Sequence, residues 1–332
     1  MRLLAPVIAL SLLFSPTALP VAVAQDAAPP PSIKVEVNVV NVLFNVRDKH
    51  GALIGNLNKD NFSIFEDGKE QTIKFFTREN DLPMTIGLLI DVSASQENLI
   101  GIEQQAASAF FGSVLRPKDL AFLISFGADA DLLQDYTNSP KLLRRGLSDL
   151  RVNSGVGGLG PGPVPTASQP RGTVLYDAVY LASHDQLKGQ VGRKALVLIT
   201  DGEDQGSHYK IQEAVEAAQK ADAIIYSIYY FDRGWYMQHG GGFMFAGGGE
   251  GYLKRMSDET GGQVFKVDRK HTLDDVFKDL QDAMRSQYSI AYTPTNDKKD
   301  GTFRRIEIKV KGENYKVQAR KGYYATPGEE GN

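Results

Sequence analysis

Residues 86–96 read Ile-Gly-Leu-Leu-Ile-Asp-Val-Ser-Ala-Ser-Gln. The apolar run Ile86–Ile90 has no polar alternation, which is the pattern of a short strand buried on both faces. It ends on an acid followed by two hydroxyls spaced two apart: Asp91, Ser93 and Ser95. Such residues can cap the next helix by accepting hydrogen bonds from its free N–H groups. They can equally present oxygen ligands to a hard cation.

Runs of the same kind recur. Buried-strand candidates lie at 85–91, 120–126, 194–200 and 223–230, separated by helical patterns near 97–114, 139–150, 174–188 and 208–220. This alternation implies an α/β fold, a doubly wound and mostly parallel sheet with helices on both faces. A weaker strand, Gln263–Val267, follows Gly261-Gly262, and Leu273, Val276, Phe277, Leu280, Ala283 and Met284 then mark an amphipathic helix.

The flanks keep a different period. Ile33, Val35, Val37 and Val39 alternate, then the phase slips to Val40, Val42, Phe44 and Val46, as at a bulge or in a strand buried on both sides. Phe62–Phe65 and Ile73–Phe76 flank Asp67-Gly68, a hairpin signal. Strand alternation returns at Tyr288–Tyr292, Ile306–Val310 and Tyr315–Ala319. Neither β segment is long enough for a sandwich alone. We therefore expect 33–80 and 286–325 to pair into one small β-sandwich with an α/β domain, 81–285, inserted between them, and 326–332 as a tail. The alternative is two separate small sheets packed on the α/β domain.

Composition sets broad limits. The chain has 332 residues, 42% hydrophobic and 23% charged, in the range of a soluble globular protein. A net charge of −3 predicts no general affinity for nucleic acid or anionic lipid. The absence of cysteine excludes disulfides, zinc thiolates and thiol nucleophiles, and the five histidines show no metal-site spacing. At the N-terminus, Arg2, the apolar stretch Leu3–Phe14 and Ala22-Val23-Ala24 before Gln25 fit an export signal, 1–24. The apolar stretch falls short of the ~20 residues of a spanning helix. The expected product is periplasmic or secreted, with no stable membrane span after cleavage; an uncleaved anchor is the alternative. A stiff linker, 25–32, carries Pro29-Pro30-Pro31.

In open α/β sheets ligands bind beyond the carboxyl ends of the strands. Three segments deliver oxygen there: Asp91–Ser95, the Gly172-Thr173 that opens a helix, and Thr200-Asp201-Gly202-Glu203-Asp204. Each alone reads as a cap or a turn. Together they form a hard-oxygen set suited to Mg²⁺, Mn²⁺ or Ca²⁺.

D-x-S-x-S after an apolar strand, Gly-Thr before a helix and a strand ending in T-D-G resemble the von Willebrand factor A domain with its metal-ion-dependent adhesion site. The resemblance covers roughly 82–285. It implies that Ser93 and Ser95 bind a divalent cation, Mg²⁺ with Mn²⁺ or Ca²⁺ as alternatives, through their hydroxyls, and that Thr173 joins directly in a high-affinity state. Asp91 and Asp201 would bind through water, or directly on rearrangement. A protein partner's Asp or Glu carboxylate would complete the shell. Two carboxylates held off the ion leave it electrophilic, so it gains from an external anion. The flanks, residues 53–69 and 287–294, look like those of a bacterial subgroup of exported proteins carrying this domain.

Two irregular segments, Asn153–Gly172 and Phe231–Glu250, are long for a compact domain. The second should emerge on the metal-bearing edge as a lid or specificity loop, with Trp235, Tyr236, Phe243 and Phe245 as partner contacts; the alternative is a disordered insertion. In similar domains the last helix, here Leu273–Met284, shifts to couple the metal site to neighbouring domains, and the same is expected by position. The expected function is therefore an exported, metal-dependent, adhesion-type binding module and not an enzyme: no G-x-S-x-G elbow, phosphate loop or histidine-based general base is present. The competing readings are a metal-dependent hydrolase with Asp91 as nucleophile and an envelope assembly or structural factor with a stabilising metal.

Overall fold

The computed structural model describes residues 39–79, 82–153, 172–232, 234, 248–312 and 314–326. The expected signal and linker, residues 33–38, most of 153–172 and the contact residues Trp235, Tyr236, Phe243 and Phe245 lie outside them. No helix among the described residues is long and apolar enough to cross a membrane.

The chain opens with β1 (Val40–Arg47), β2 (Phe62–Glu66), β3 (Lys69–Gln71) and β4 (Ile73–Glu79). The α/β part follows: β5 (Met84–Asp91), α1 (Ile100–Val114), β6 (Leu120–Phe126), β7 (Ala130–Thr137), α2 (Pro140–Ser148), α3 (Leu175–Leu181) and β8 (Arg193–Thr200). It continues through α4 (Ile211–Lys220), β9 (Ala223–Tyr229), α5 (Gly248–Thr260), β10 (Val264–Lys266) and α6 (Leu273–Arg285). Strands β11 (Gln287–Tyr292), β12 (Phe303–Val310), β13 (Lys316–Ala319) and β14 (Gly322–Tyr324) close the chain.

The central sheet has the order β10-β9-β8-β5-β6-β7. All its pairings are parallel except β6–β7. β5, β8 and β9 are buried along their whole length, which explains their unalternating apolar sequence. Alternate residues still divide between two cores. Ile86, Leu88 and Ile90 meet α1, α2 and α6 on one face, and Leu89, Leu196 and Leu198 meet α3, α4 and α5 on the other. The switch point, where neighbours on either side of β5 run on to different helical layers, puts the C-terminal ends of β5 and β8 side by side.

The flanking segments do pair with each other. One sheet has the order β13-β1-β11-β4 and the other β14-β12-β2-β3, so each mixes N- and C-terminal strands. They enclose a shared core of Val42, Phe44, Ile64, Tyr288, Ile290 and Ile308, with the Phe44 and Phe62 rings edge-on at 5.1 Å. The hairpin differs from expectation. Asp67 (φ 47°) and Gly68 (φ 80°) make the two-residue turn, but it returns β2 only into β3, while Ile73–Glu79 crosses to the other sheet and pairs with β11. A two-residue turn registers Glu66 directly against Lys69. The longer apolar run then follows the larger buried face on β11. The phase slip at Val40 leaves Val39 exposed and Val40, Val42, Phe44 and Val46 buried.

β1 also reaches the α/β part. Asn45 is buried and donates from Nδ2 to the Ala283 and Ser286 carbonyls at 2.9 and 3.1 Å. Arg193 donates to the Met284 carbonyl and to Gln287 Oε1, and Arg285 pairs with Asp119. The free carbonyls at the end of α6 are thus held by side chains from the sandwich and from the base of the sheet. At its other end Thr272 and Asp275 form a reciprocal capping box.

Four elements have no counterpart in the sequence analysis: the three-residue strands β3 and β14, and β7 and α5. β7 is a half-exposed edge strand with no clean alternation. α5 begins at Gly248, inside the segment expected to be irregular through Glu250. The glycines there serve a close approach: a Cβ on Gly249 would lie 2.0 Å from the Asp201 carbonyl oxygen. The helix is held by Leu253, Met256 and Thr260 buried against the sheet.

Candidate metal site

A lattice of backbone hydrogen bonds brings the three oxygen-bearing loops together at one sheet edge. Val92 N donates to Phe126 O at 2.7 Å, and Asn153 N to Val92 O at 2.8 Å. Val174 N donates to Gly127 O at 2.9 Å, and Gln205 N to Thr173 O at 2.9 Å. The Gly172 backbone lies so near Gln205 that a Cβ would meet that side chain at 2.7 Å.

The side chains then converge. Asp91 is fully buried; its Oδ1 accepts from Ser93 N at 2.9 Å and its Oδ2 from Thr200 Oγ1 at 2.6 Å. Ser93 Oγ and Ser95 Oγ are 3.2 Å apart. Ser95 Oγ donates to Asp201 Oδ2 at 2.7 Å, and Asp201 Oδ1 accepts from Glu203 N at 3.1 Å. Neither serine caps a helix: the short 3₁₀ turn Ala94–Gln96 has no side-chain cap bond, and α1 starts from Leu99. Of the sequence-predicted ligands, Asp91, Ser93, Ser95 and Asp201 therefore share one hydrogen-bonded group. Thr173 is buried at the same edge, joined to the Asp201 loop through its carbonyl rather than its hydroxyl.

Electrostatics single this group out. The Asp91 carboxyl is pushed from 3.8 up to about 7, first by burial and next by the Asp201 carboxylate; hydrogen bonds from Ser93 and Thr200 only partly offset this. None of the groups that set it is cationic. Glu203, half-buried beside Asp201, is raised as well, by burial and then by that neighbour.

Sequence reasoning missed a third acid. Glu103 on α1 is fully buried, and neither of its carboxylate oxygens has a hydrogen-bond partner among the described residues. Burial raises it well above the usual carboxylate range, followed by Asp91 and then Asp201. Gln96, the last residue of the opening motif, is also fully buried; its Nε2 reaches Tyr230 O at 3.4 Å while its Oε1 has no partner among the described residues. The signal for Glu103 was its place in the apolar stripe Ile100, Ala107, Phe110, Phe111, Val114, where an acid is out of keeping.

The donor set fits a hard divalent cation. Buried carboxylates that repel one another, with hydroxyls between them, are stabilised by positive charge that the surrounding groups do not supply. Among the described residues no three His, Asp or Glu side chains are grouped to hold a metal, so hydroxyl oxygens would have to complete the shell. That composition leaves an ion short of anionic ligands.

No family model matches the chain, and no curated protein does. Solved structures resemble its fold. The conserved hypothetical protein BatB from Bacteroides thetaiotaomicron is 16% identical, with 60% of this chain and 97% of that one aligned at a TM-score of 0.43. The SpRpn10 VWA domain is 15% identical over 60% of this chain and 95% of its own, with a TM-score of 0.39. Proximal thread matrix protein 1 from the mussel byssus, in a form with a zinc-occupied MIDAS motif, is 14% identical over 66% of this chain and 50% of its own, with a TM-score of 0.44. In its own strand order, its single antiparallel edge and the loops gathered at the ends of β5 and β8, the α/β part of this chain has a von Willebrand factor A-like fold.

Proposed function

We propose that this chain is an exported binding module that recognises an acidic residue of a protein partner through a divalent cation, Mg²⁺ in the first instance. Asp91, Ser93, Ser95, Thr173 and Asp201 would hold the ion. Bound there, the ion supplies an electrophilic centre for an external carboxylate. The chain's own groups do the rest. Thr200 and the Ser93 N–H orient Asp91, Glu203 N–H orients Asp201, and the Ser95 hydroxyl bridges the two loops.

The observation that carries this reading is the meeting of Asp91 and Asp201 through Ser93, Ser95 and Thr200 at the strand ends, with Asp91 driven to about 7 by burial and by its acidic neighbour. A histidine poised beside the ion would favour the hydrolase reading. The histidines at 184, 208 and 271 are instead partly exposed and engaged with Asp185, Asp177 and Asp279.

The test is capture from an envelope extract with the full chain as bait, in Mg²⁺ and in chelator, beside Asp91→Ala and Ser95→Ala baits. Capture that needs Mg²⁺ and fails with both variants supports the reading. Capture indifferent to chelator, or turnover of phosphate or carboxylic esters by the wild type but not by Asp91→Ala, removes it.

A further inference from the structure

Gln96 and Glu103 hold three oxygens that the function above does not use. Both side chains are fully buried, and Glu103 Oε1, Glu103 Oε2 and Gln96 Oε1 have no hydrogen-bond partner among the described residues. The backbone joins the two residues in helical steps, Leu99 N to Gln96 O at 2.8 Å and Glu103 N to Leu99 O at 3.0 Å, which brings them to the same face. Both act on the residue that follows β9. Gln96 Nε2 reaches Tyr230 O at 3.4 Å, and the Tyr230 hydroxyl is pushed up by burial and then by Glu103. Tyr230 N in turn donates to Thr200 O at 3.1 Å, beside the Asp201 loop.

Buried carboxylates are paired with cations or coordinate metals. After burial itself, the groups that act on Glu103 are Asp91 and Asp201, both acids, and its neighbours along the stripe, Ile100, Ala107 and Phe110, are apolar. A proton alone does not meet the need. A neutral Glu103 carboxyl could donate once, to Gln96 Oε1, and its second oxygen would still lack a donor. A cation meets all three oxygens at once. Charge decides which cation. A divalent ion at the strand ends balances Asp91 and Asp201 and leaves the single charge of Glu103. Among the described residues no three His, Asp or Glu side chains are grouped to hold a metal, so a second divalent ion has no ligand set here. One carboxylate with neutral carbonyl oxygens suits a singly charged ion whose hydration shell such oxygens replace.

From this placement we infer that Gln96 and Glu103 form a second cation site, for a sodium or potassium ion, in the interior next to the Asp91–Ser95 turn. Glu103 supplies the charge, Gln96 Oε1 an amide oxygen, and the Tyr230 carbonyl borders the site. The charge count rests on the metal-dependent reading of the strand ends.

The probe is the alkali ion itself. The full chain is melted at pH 8 in NaCl, KCl and tetramethylammonium chloride of equal ionic strength, each with chelator and with Mg²⁺. One alkali salt should raise the wild-type melting temperature by about 2 °C or more over tetramethylammonium. Glu103→Gln, of the same shape and without charge, should lose that rise. Gln96→Leu, a second variant that keeps the acid, should need about tenfold more alkali ion for half the effect. Equal melting of the wild type in all three salts overturns the site and makes a proton the partner of Glu103. An alkali rise of the same size in Glu103→Gln also overturns it, as a general salt effect. Either result leaves the divalent reading standing if Mg²⁺ still raises the wild-type melting temperature in tetramethylammonium. An alkali response that needs Glu103, with no Mg²⁺ response in any salt, supports the interior ion and removes the divalent reading.

Discussion

The most exposed consequence of the site is a coupling between protons, metal and stability at Asp91. Its carboxyl is raised from 3.8 to about 7 in the fold. A raised acid holds its proton more tightly folded than unfolded, so the folded state binds more protons between those two values. The Asp91 contribution to stability is therefore intact below about pH 4, falls as pH rises to about 7, and is flat above. At about 1.4 kcal/mol per pH unit the loss reaches about 4 kcal/mol. A cation must displace that proton. At pH 8 Asp91 is mostly ionised, whereas at pH 5.5 only about 3% is, so Mg²⁺ affinity should drop about 30-fold between them. With Mg²⁺ at 100 times its pH 8 dissociation constant, the added stability would be about 2.7 kcal/mol at pH 8 and about 0.9 kcal/mol at pH 5.5. Urea unfolding with and without chelator at the two pH values reads this directly. Asp91→Asn isolates the group. The amide oxygen can still accept from Ser93 N–H, and Thr200 Oγ1, which already accepts from Gly202 N, can turn to accept from the amide. In chelator at pH 8 the variant should be more stable than wild type by about 2–4 kcal/mol, allowing for relaxation, and should not respond to Mg²⁺. An equal Mg²⁺ gain at both pH values, or a variant less stable than wild type in chelator at pH 8, would refute the account.

Glu103→Gln should raise the melting temperature of the metal-free protein at pH 8 and have little effect at pH 4, where the wild-type carboxyl is neutral; its raised carboxyl and unpartnered oxygens set the sign, and a melting series across pH checks it. Gly249→Ala should cost about 1–3 kcal/mol in urea unfolding and also blunt the Mg²⁺ response, because the new methyl group displaces the Asp201 backbone. Asn45→Leu should cost about 1–3 kcal/mol, since it strips the Ala283 and Ser286 carbonyls of their partner, with Mg²⁺ affinity measured by calorimetry unchanged at the opposite end of the sheet.

Much of the molecule was legible because it obeys local rules. The apolar runs of β5, β6, β8 and β9 were bounded within a residue or two, since strands buried on both faces read as near-continuous apolar runs. The α6 stripe likewise follows from periodicity. Asp67-Gly68 turned where positive φ is tolerated. That Asp91, Ser95 and Asp201 would meet could be read because strand ends in an open sheet point to one edge, where Ser95 donates to Asp201 and Thr200 to Asp91.

What escaped depends on neighbours far along the chain. β7 pairs antiparallel with β6 as a half-exposed edge and so carries no period of its own. α5 starts in a glycine run whose purpose, backbone contact with Asp201 and Gly202, has no signature in the run itself. The turn at Asp67-Gly68 could be read, but not that β4 would abandon β2 for β11. Glu103 is out of keeping within its apolar stripe, but only the packing of α1 against the sheet set it beside Asp91 and Asp201. By itself the sequence determined most of the helices, strands and turns and the sheet edge at which Asp91, Ser95 and Asp201 gather, because period and turn chemistry act over a few residues. Only the tertiary structure decided which strands share a sheet, where a glycine must stay bare and which acid is shut in without a partner, because burial is a property of what packs from elsewhere in the chain.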